Sequence, residues 1–160
     1  MNTTWKHRAL AGLAGGLAFA VVNFLTFGLL SGSRVGQTGL LFNPSTQSAK
    51  VIAVWKEIQP LPWLVTQPWV ITIGLLLFGV IYACVYASVG KAWPPQMQAH
   101  VWRLTALTFV APAFFEMMGP FNLLHEPTSL QLIEFAFWIT ASFAQSFVIV
   151  RMLRRKVACN

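Results

Sequence analysis

The sequence predicts an all-α membrane protein with four transmembrane helices and a short amphipathic interfacial helix in the first, outer loop. Of its 160 residues, 56% are hydrophobic and only 9% are charged, whereas a soluble domain carries about 25% charged residues. So few charges cannot cover the surface of a soluble protein of this size. A soluble enzyme and a disordered chain are therefore both excluded.

The first predicted span covers residues 9–30, which hold no charged side chain. A bilayer core about 30 Å thick needs about 20 helical residues, so this run is long enough to cross. Lys6, His7 and Arg8 precede it, as in a signal peptide. The apolar region of a signal peptide spans only about 7–15 residues. We therefore expect a retained first span.

Residues 68–89 and 129–150 are predicted as the second and fourth spans. The second holds no charge, and the fourth carries Glu134 near its start. The third span, residues 101–124, is the weakest, because Pro112 should kink it and Glu116 interrupts it. If it does not cross fully, the alternative is three spans with a re-entrant segment. Either way, residues 1–160 are predicted to form a single transmembrane domain.

The connection between the first two spans holds the predicted surface helix, at about residues 44–59. Val51, Val54, Trp55 and Ile58 have the spacing of one helical face. An apolar face beside lysines is typical of a helix that lies on the membrane surface. The alternative is a helix that packs on other helices outside the bilayer.

The distribution of basic residues predicts the orientation. Four spans place both ends of the chain on one side, and positive residues favour the cytoplasmic side. Eight of the 11 lysines and arginines fall on the side of the chain ends. We therefore predict a plasma or inner membrane protein with both termini in the cytoplasm. Since these basic residues flank apolar runs, the expected partners are membrane lipids and other membrane subunits or self, not nucleic acid.

All four acidic residues are glutamates, and the predicted topology places each of them on the outer side or in the outer half of the membrane. An ionisable side chain within a span costs about 2.5–3.5 kcal/mol on insertion scales, so it suggests a functional site. The alternative is a structural role through hydrogen bonding. No metal is predicted, because the spacing matches no ligand motif. The candidate intramembrane polar or ion site consists of Glu116, Glu134, His125, Asn122 and Asn23.

Two further residue patterns indicate contacts. Small residues four apart allow helix backbones to approach closely, either within this chain or with another subunit. The candidate helix-packing residues are Gly12, Gly16 and Ala20 in the first span, and Gly79, Ala83 and Ala87 in the second. A basic cluster after the fourth span is a candidate contact for anionic lipid. It consists of Arg151, Arg154, Arg155 and Lys156.

No cofactor is predicted. A haem or pigment near His7 and His100 is the alternative, but neither histidine lies in the middle of a span. The chain has no aspartate, which excludes a Ser/His/Asp catalytic set. We therefore expect a non-catalytic accessory subunit or assembly factor of a larger membrane complex. The alternatives are a small proton- or cation-linked transporter or channel that uses Glu116 and Glu134, and a membrane enzyme acting on a lipid or quinone.

Overall fold

The computed structural model describes residues 4–33, 38–118 and 124–155, without the side chains of residues 115–118 and 155. Regular structure within these residues is entirely helical, with no strand. The helices in chain order are α1 (Trp5–Asn23), continued by a π-helical segment (Phe24–Leu30), α2 (Ala49–Lys56), α3 (Trp63–Thr66), α4 (Pro68–Val89), α5 (Met97–Met118) and α6 (Thr128–Arg155).

Three helices among the described residues are long and apolar enough to cross a membrane. They are Trp5–Leu30, Pro68–Ala92 and Thr128–Arg154, with mean hydropathies of 2.0, 2.3 and 1.6. They coincide with the first, second and fourth predicted spans. The chain is therefore an all-helical protein with the helices of a membrane protein. The third predicted span corresponds to α5, which is not among these three.

The four long helices pack in the order α4, α1, α6 and α5. Helix α1 lies between α4 and α6, and α6 lies between α1 and α5. By contrast, α4 and α5 contact each other only sparsely. Two side chains of α4 reach α5, since the Tyr82 hydroxyl donates to the Leu107 carbonyl at 3.3 Å and Tyr86 contacts His100.

The first turn of α1 lies beside the last turns of α6. Nε2 of His7 is 3.2 Å from the carbonyl oxygen of Met152. Both ends of the helical part of the chain therefore lie at one end of the bundle, which we call the terminal end. The opposite end, the loop end, holds residues 38–66 and the turn before α6.

Glycine allows α1 and α4 to cross closely. A Cβ atom at Gly12 or Gly16 would collide with the backbone of Val80 or Leu76, and one at Gly79 would collide with the backbone of Gly12 and Gly16. The small residues of the first two predicted spans therefore form a contact between α1 and α4 of this chain. Gly74 on the same helix faces open space.

At the loop end, the first loop packs over the start of α6. Leu41, Phe42, Val51 and Leu130 form a buried cluster there. Helix α2 is shorter than the predicted helix over residues 44–59, because Asn43 Oδ1 accepts a hydrogen bond from the Ser45 backbone and holds a turn. The helix begins instead after Ser48, whose hydroxyl accepts from the Lys50 amide. Val51 of α2 is buried in the protein, whereas Ile58, two residues after the end of the helix, is exposed.

Candidate functional site

The described residues of the predicted intramembrane site differ in their burial. Glu134 is 2% exposed in the second turn of α6, whereas His125 is exposed and has a positive φ of 56°. Asn23 donates to the Phe19 carbonyl of its own helix at 3.2 Å. The side chain of Glu116 and the whole of Asn122 lie outside the described residues. Of the three residues whose side chains are described, only Glu134 is buried, and Asn23 lies between Phe19 and Phe27, whose rings contact Trp138 of α6.

A set of five buried polar side chains lies on α5 and α6, and the residue patterns in the sequence did not predict it. Its members are at most 1% exposed. The two helices meet at Thr108 and Ser146, whose hydroxyl oxygens are 3.5 Å apart. We call this set the polar layer. It comprises Thr105 and Thr108 of α5 with Ser142, Gln145 and Ser146 of α6.

Only some of the polar atoms in the polar layer have hydrogen-bond partners among the described residues. Thr105 and Thr108 donate to the carbonyls of Val101 and Leu104, at 2.8 and 3.0 Å. In the described part of the chain, neither amide atom of Gln145 has a hydrogen-bond partner, and nor does the Ser142 hydroxyl. A buried polar group without a partner costs about 1–3 kcal/mol. Such groups within a membrane bundle indicate bound water or a function.

A further buried pair lies at the loop end. Gln47 Nε2 donates to Glu126 Oε1 at 2.6 Å and to the Leu41 carbonyl at 2.9 Å. Glu126 and Gln47 are 7% and 6% exposed. The Ser48 hydroxyl donates to the Leu124 carbonyl at 2.8 Å. These bonds fasten the first loop to the segment before α6, so Glu126 has a structural role here.

An aromatic cluster lies at the terminal end. The Tyr86 hydroxyl is 2.8 Å from Nδ1 of His100. The rings of Tyr86, Trp93 and His100 have centroids 5.6–5.7 Å apart. His100 precedes the predicted third span, and burial, then the charge of Arg154, lowers its pKa. His7 and His100, the histidines of the haem alternative, both have protein partners here.

Buried polar groups occur at several levels along α5 and α6, over a length of helix that can be compared with the thickness of a membrane. Twelve residues separate Glu134 from Ser146 on α6, which is about 18 Å of helix, and eight separate His100 from Thr108 on α5, about 12 Å. Since Thr108 lies opposite Ser146, the series from Glu134 to His100 covers about 30 Å. This is the thickness of a bilayer core.

The structure also describes most of the residues that were predicted to contact another helix or anionic lipid. Ala83 and Ala87 are buried, while Ala20 is half-buried. In the basic cluster, Arg151 is exposed with its guanidinium 5.8 Å from the Phe147 ring centroid. Arg154 donates to the Pro95 carbonyl. The Arg155 side chain and Lys156 lie outside the described residues.

No group of three His, Cys, Asp or Glu side chains in the described ranges is arranged to hold a metal ion. Comparison with known proteins adds no further identification. No protein-family model, no curated protein and no solved structure matches this chain.

Proposed function

We propose that the chain is a four-span membrane protein that serves as a non-catalytic accessory subunit or assembly factor of a larger membrane complex. Both its ends face the cytoplasm, and α2 lies at the outer membrane surface. The proposal has a topological part and a functional part.

The contact between His7 and Met152 supports the topological part. It sets the start of α1 and the end of α6 at the same end of the bundle. A chain that enters and leaves on one side crosses the membrane an even number of times. Helices α1, α4 and α6 supply three crossings, so α5 supplies the fourth. The excess of lysine and arginine at the terminal end favours the cytoplasm for that side.

The open arrangement of the four helices carries the functional part. Among the described elements, α4 packs far more extensively on α1 than on any other helix. Its outward face is apolar, and Ile73, Leu77 and Ile81 are 49–59% exposed. Apolar exposure alone fits lipid, but a helix supported on one side leaves room for a helix of another subunit.

Native mass in a mild detergent, measured after extraction from the source membrane, tests this function. The wild-type chain should migrate with a much larger assembly. The double variant Ile73→Ala/Leu77→Ala should release it, because it trims the outward face of α4. Leu13→Ala/Leu17→Ala is the matched control on the exposed face of α1 and should stay bound. A small wild-type species would contradict the proposal.

The polar layer favours a second function, a proton- or cation-linked transporter or channel. Buried polar groups in series from Glu134 to His100 are suited to hold water and pass a proton. Proton flux into proteoliposomes that contain the purified chain tests it. Glu134→Gln and Gln145→Leu should abolish the flux, and Thr140→Val, at an exposed position on α6, should leave it intact. Absence of wild-type flux would remove this function.

A further inference from the structure

An apolar groove runs between the end of α4 and the first half of α5. Four residues of α5 line it with the spacing i, i+3, i+4, i+7 of one helical face, namely Arg103, Ala106, Leu107 and Val110. Leu107 and Val110 are 42% and 63% exposed, so the groove is open to the surroundings of the bundle. Its lining residues are Val89, Trp93, Arg103, Ala106, Leu107 and Val110.

Arg103 gives this groove a positive charge at its terminal end. Arg103 is an exposed residue, so its guanidinium is accessible to a ligand. Lys91 is exposed in the turn after α4. The four glutamates of the sequence are Glu57, Glu116, Glu126 and Glu134, and three of them belong to loop-end segments or the start of α6. Among the described residues no carboxylate pairs with Arg103, so its charge is available to a ligand from outside the chain.

We propose that this groove binds one anionic phospholipid of the cytoplasmic leaflet, with its phosphate on Arg103 and one acyl chain along Ala106, Leu107 and Val110. Seven residues separate Arg103 from Val110, which is about 10 Å of helix. The groove thus leads from head-group depth into the hydrocarbon region. Trp93 also lines the groove, and tryptophan prefers the interface between membrane and water.

The charge and the shape of the groove select the same ligand. A zwitterionic lipid offers the same acyl chain without a net negative charge. The predicted cluster after α6 offers positive charge, but Arg151 lies over Phe147 and is separate from the residues that line the groove. The site therefore differs from a diffuse attraction between the basic chain end and the membrane.

Native mass spectrometry of the purified chain titrated with phosphatidylglycerol or phosphatidylcholine tests the proposal. The wild type should retain one phosphatidylglycerol more tightly than phosphatidylcholine. Arg103→Gln should weaken phosphatidylglycerol binding about fivefold, the effect of one basic residue near a membrane surface. Ala106→Phe should weaken it as well, because the ring fills the groove while Arg103 remains. Both positions are exposed, so the fold should persist.

Lys6→Gln is the matched control, an exposed basic residue at the same end of the bundle. It should leave the tight phosphatidylglycerol unchanged. Equal binding of both lipids by the wild type, or an unchanged affinity in Arg103→Gln or Ala106→Phe, would overturn the proposal. An equal loss in Lys6→Gln would assign the lipid to a general attraction by the basic terminal end and overturn it too.

Discussion

The Tyr86 hydroxyl lies 2.8 Å from Nδ1 of His100, and this contact joins the end of α4 to the start of α5. Both residues are buried. Since the two helices otherwise contact each other sparsely, this hydrogen bond is important for holding α5 in place at the terminal end.

Removal of the hydroxyl should therefore destabilise the bundle. Tyr86→Phe should lower the free energy of unfolding by about 1–3 kcal/mol, because it leaves the His100 nitrogen buried without its partner. Denaturant unfolding in mixed micelles measures the change. Tyr82→Phe is the control, because that hydroxyl makes a longer, more exposed bond to Leu107. An equal loss in both variants would contradict a special role for Tyr86.

Acid should destabilise the terminal end through His100. Burial and the charges of Arg154 and Arg103 lower its pKa, while a hydrogen bond to Pro94 partly opposes them. The unfolded chain therefore binds a proton at His100 at a higher pH than the folded chain does. Stability is fully present above the unfolded pKa of about 6.5, and it should fall as the pH falls below that value.

The pH dependence of thermal unfolding between about pH 7.5 and pH 5 measures this effect. His100→Gln should flatten the curve in this window, and His7→Gln, which alters the partner of Met152, should leave most of the slope. A slope that survives in His100→Gln would assign the acid sensitivity to other groups.

The close crossing of α1 and α4 should not tolerate a side chain at Gly79. Gly79→Leu places atoms against the backbone of Gly12 and Gly16, and overpacking of this kind costs about 1–3 kcal/mol or more. Gly74→Leu adds the same side chain to the same helix, where a Cβ meets open space. The melting temperature in detergent should fall for Gly79→Leu and not for Gly74→Leu. Similar melting temperatures would contradict the crossing.

Replacement of Gln145 by leucine should stabilise the protein. The amide is fully buried, and within the described residues it has no partner, so Leu removes an unsatisfied group of similar size. We expect the free energy of unfolding to rise by about 1–3 kcal/mol. Thr140→Val, exposed on the same helix, should change it little. Destabilisation by Gln145→Leu would show that the amide is satisfied, for example by bound water.

The sequence was sufficient to predict the three helices that are long and apolar enough to cross a membrane. Helices α1, α4 and α6 were found from long runs of apolar residues, a signal that depends on bilayer thickness and not on packing partners. The predicted start of α2 was wrong. Asn43 and Pro44 are suited to a helix start, but they form a turn in which Asn43 Oδ1 accepts a hydrogen bond from the Ser45 backbone amide.

The polar layer was harder to predict. Ser142, Gln145 and Ser146 share one face of α6, and Thr105 and Thr108 share one face of α5. Neutral polar residues of this kind are common at helix ends, on lipid-facing surfaces and in interfaces alike. Their burial depends on which helices become neighbours. The packing order α4, α1, α6, α5 cannot be predicted from the hydropathy of any one helix.

The side of the membrane that each chain end occupies is the most direct test of the four-span arrangement. A reporter active only in the cytoplasm, fused before Trp5 in one chain and after Arg155 in another, measures it. We predict activity from both fusions, because His7 meets Met152 at the terminal end and, in the proposed arrangement, α5 supplies the fourth crossing. Activity from only one of the two fusions would contradict the arrangement and leave α5 outside the set of membrane spans.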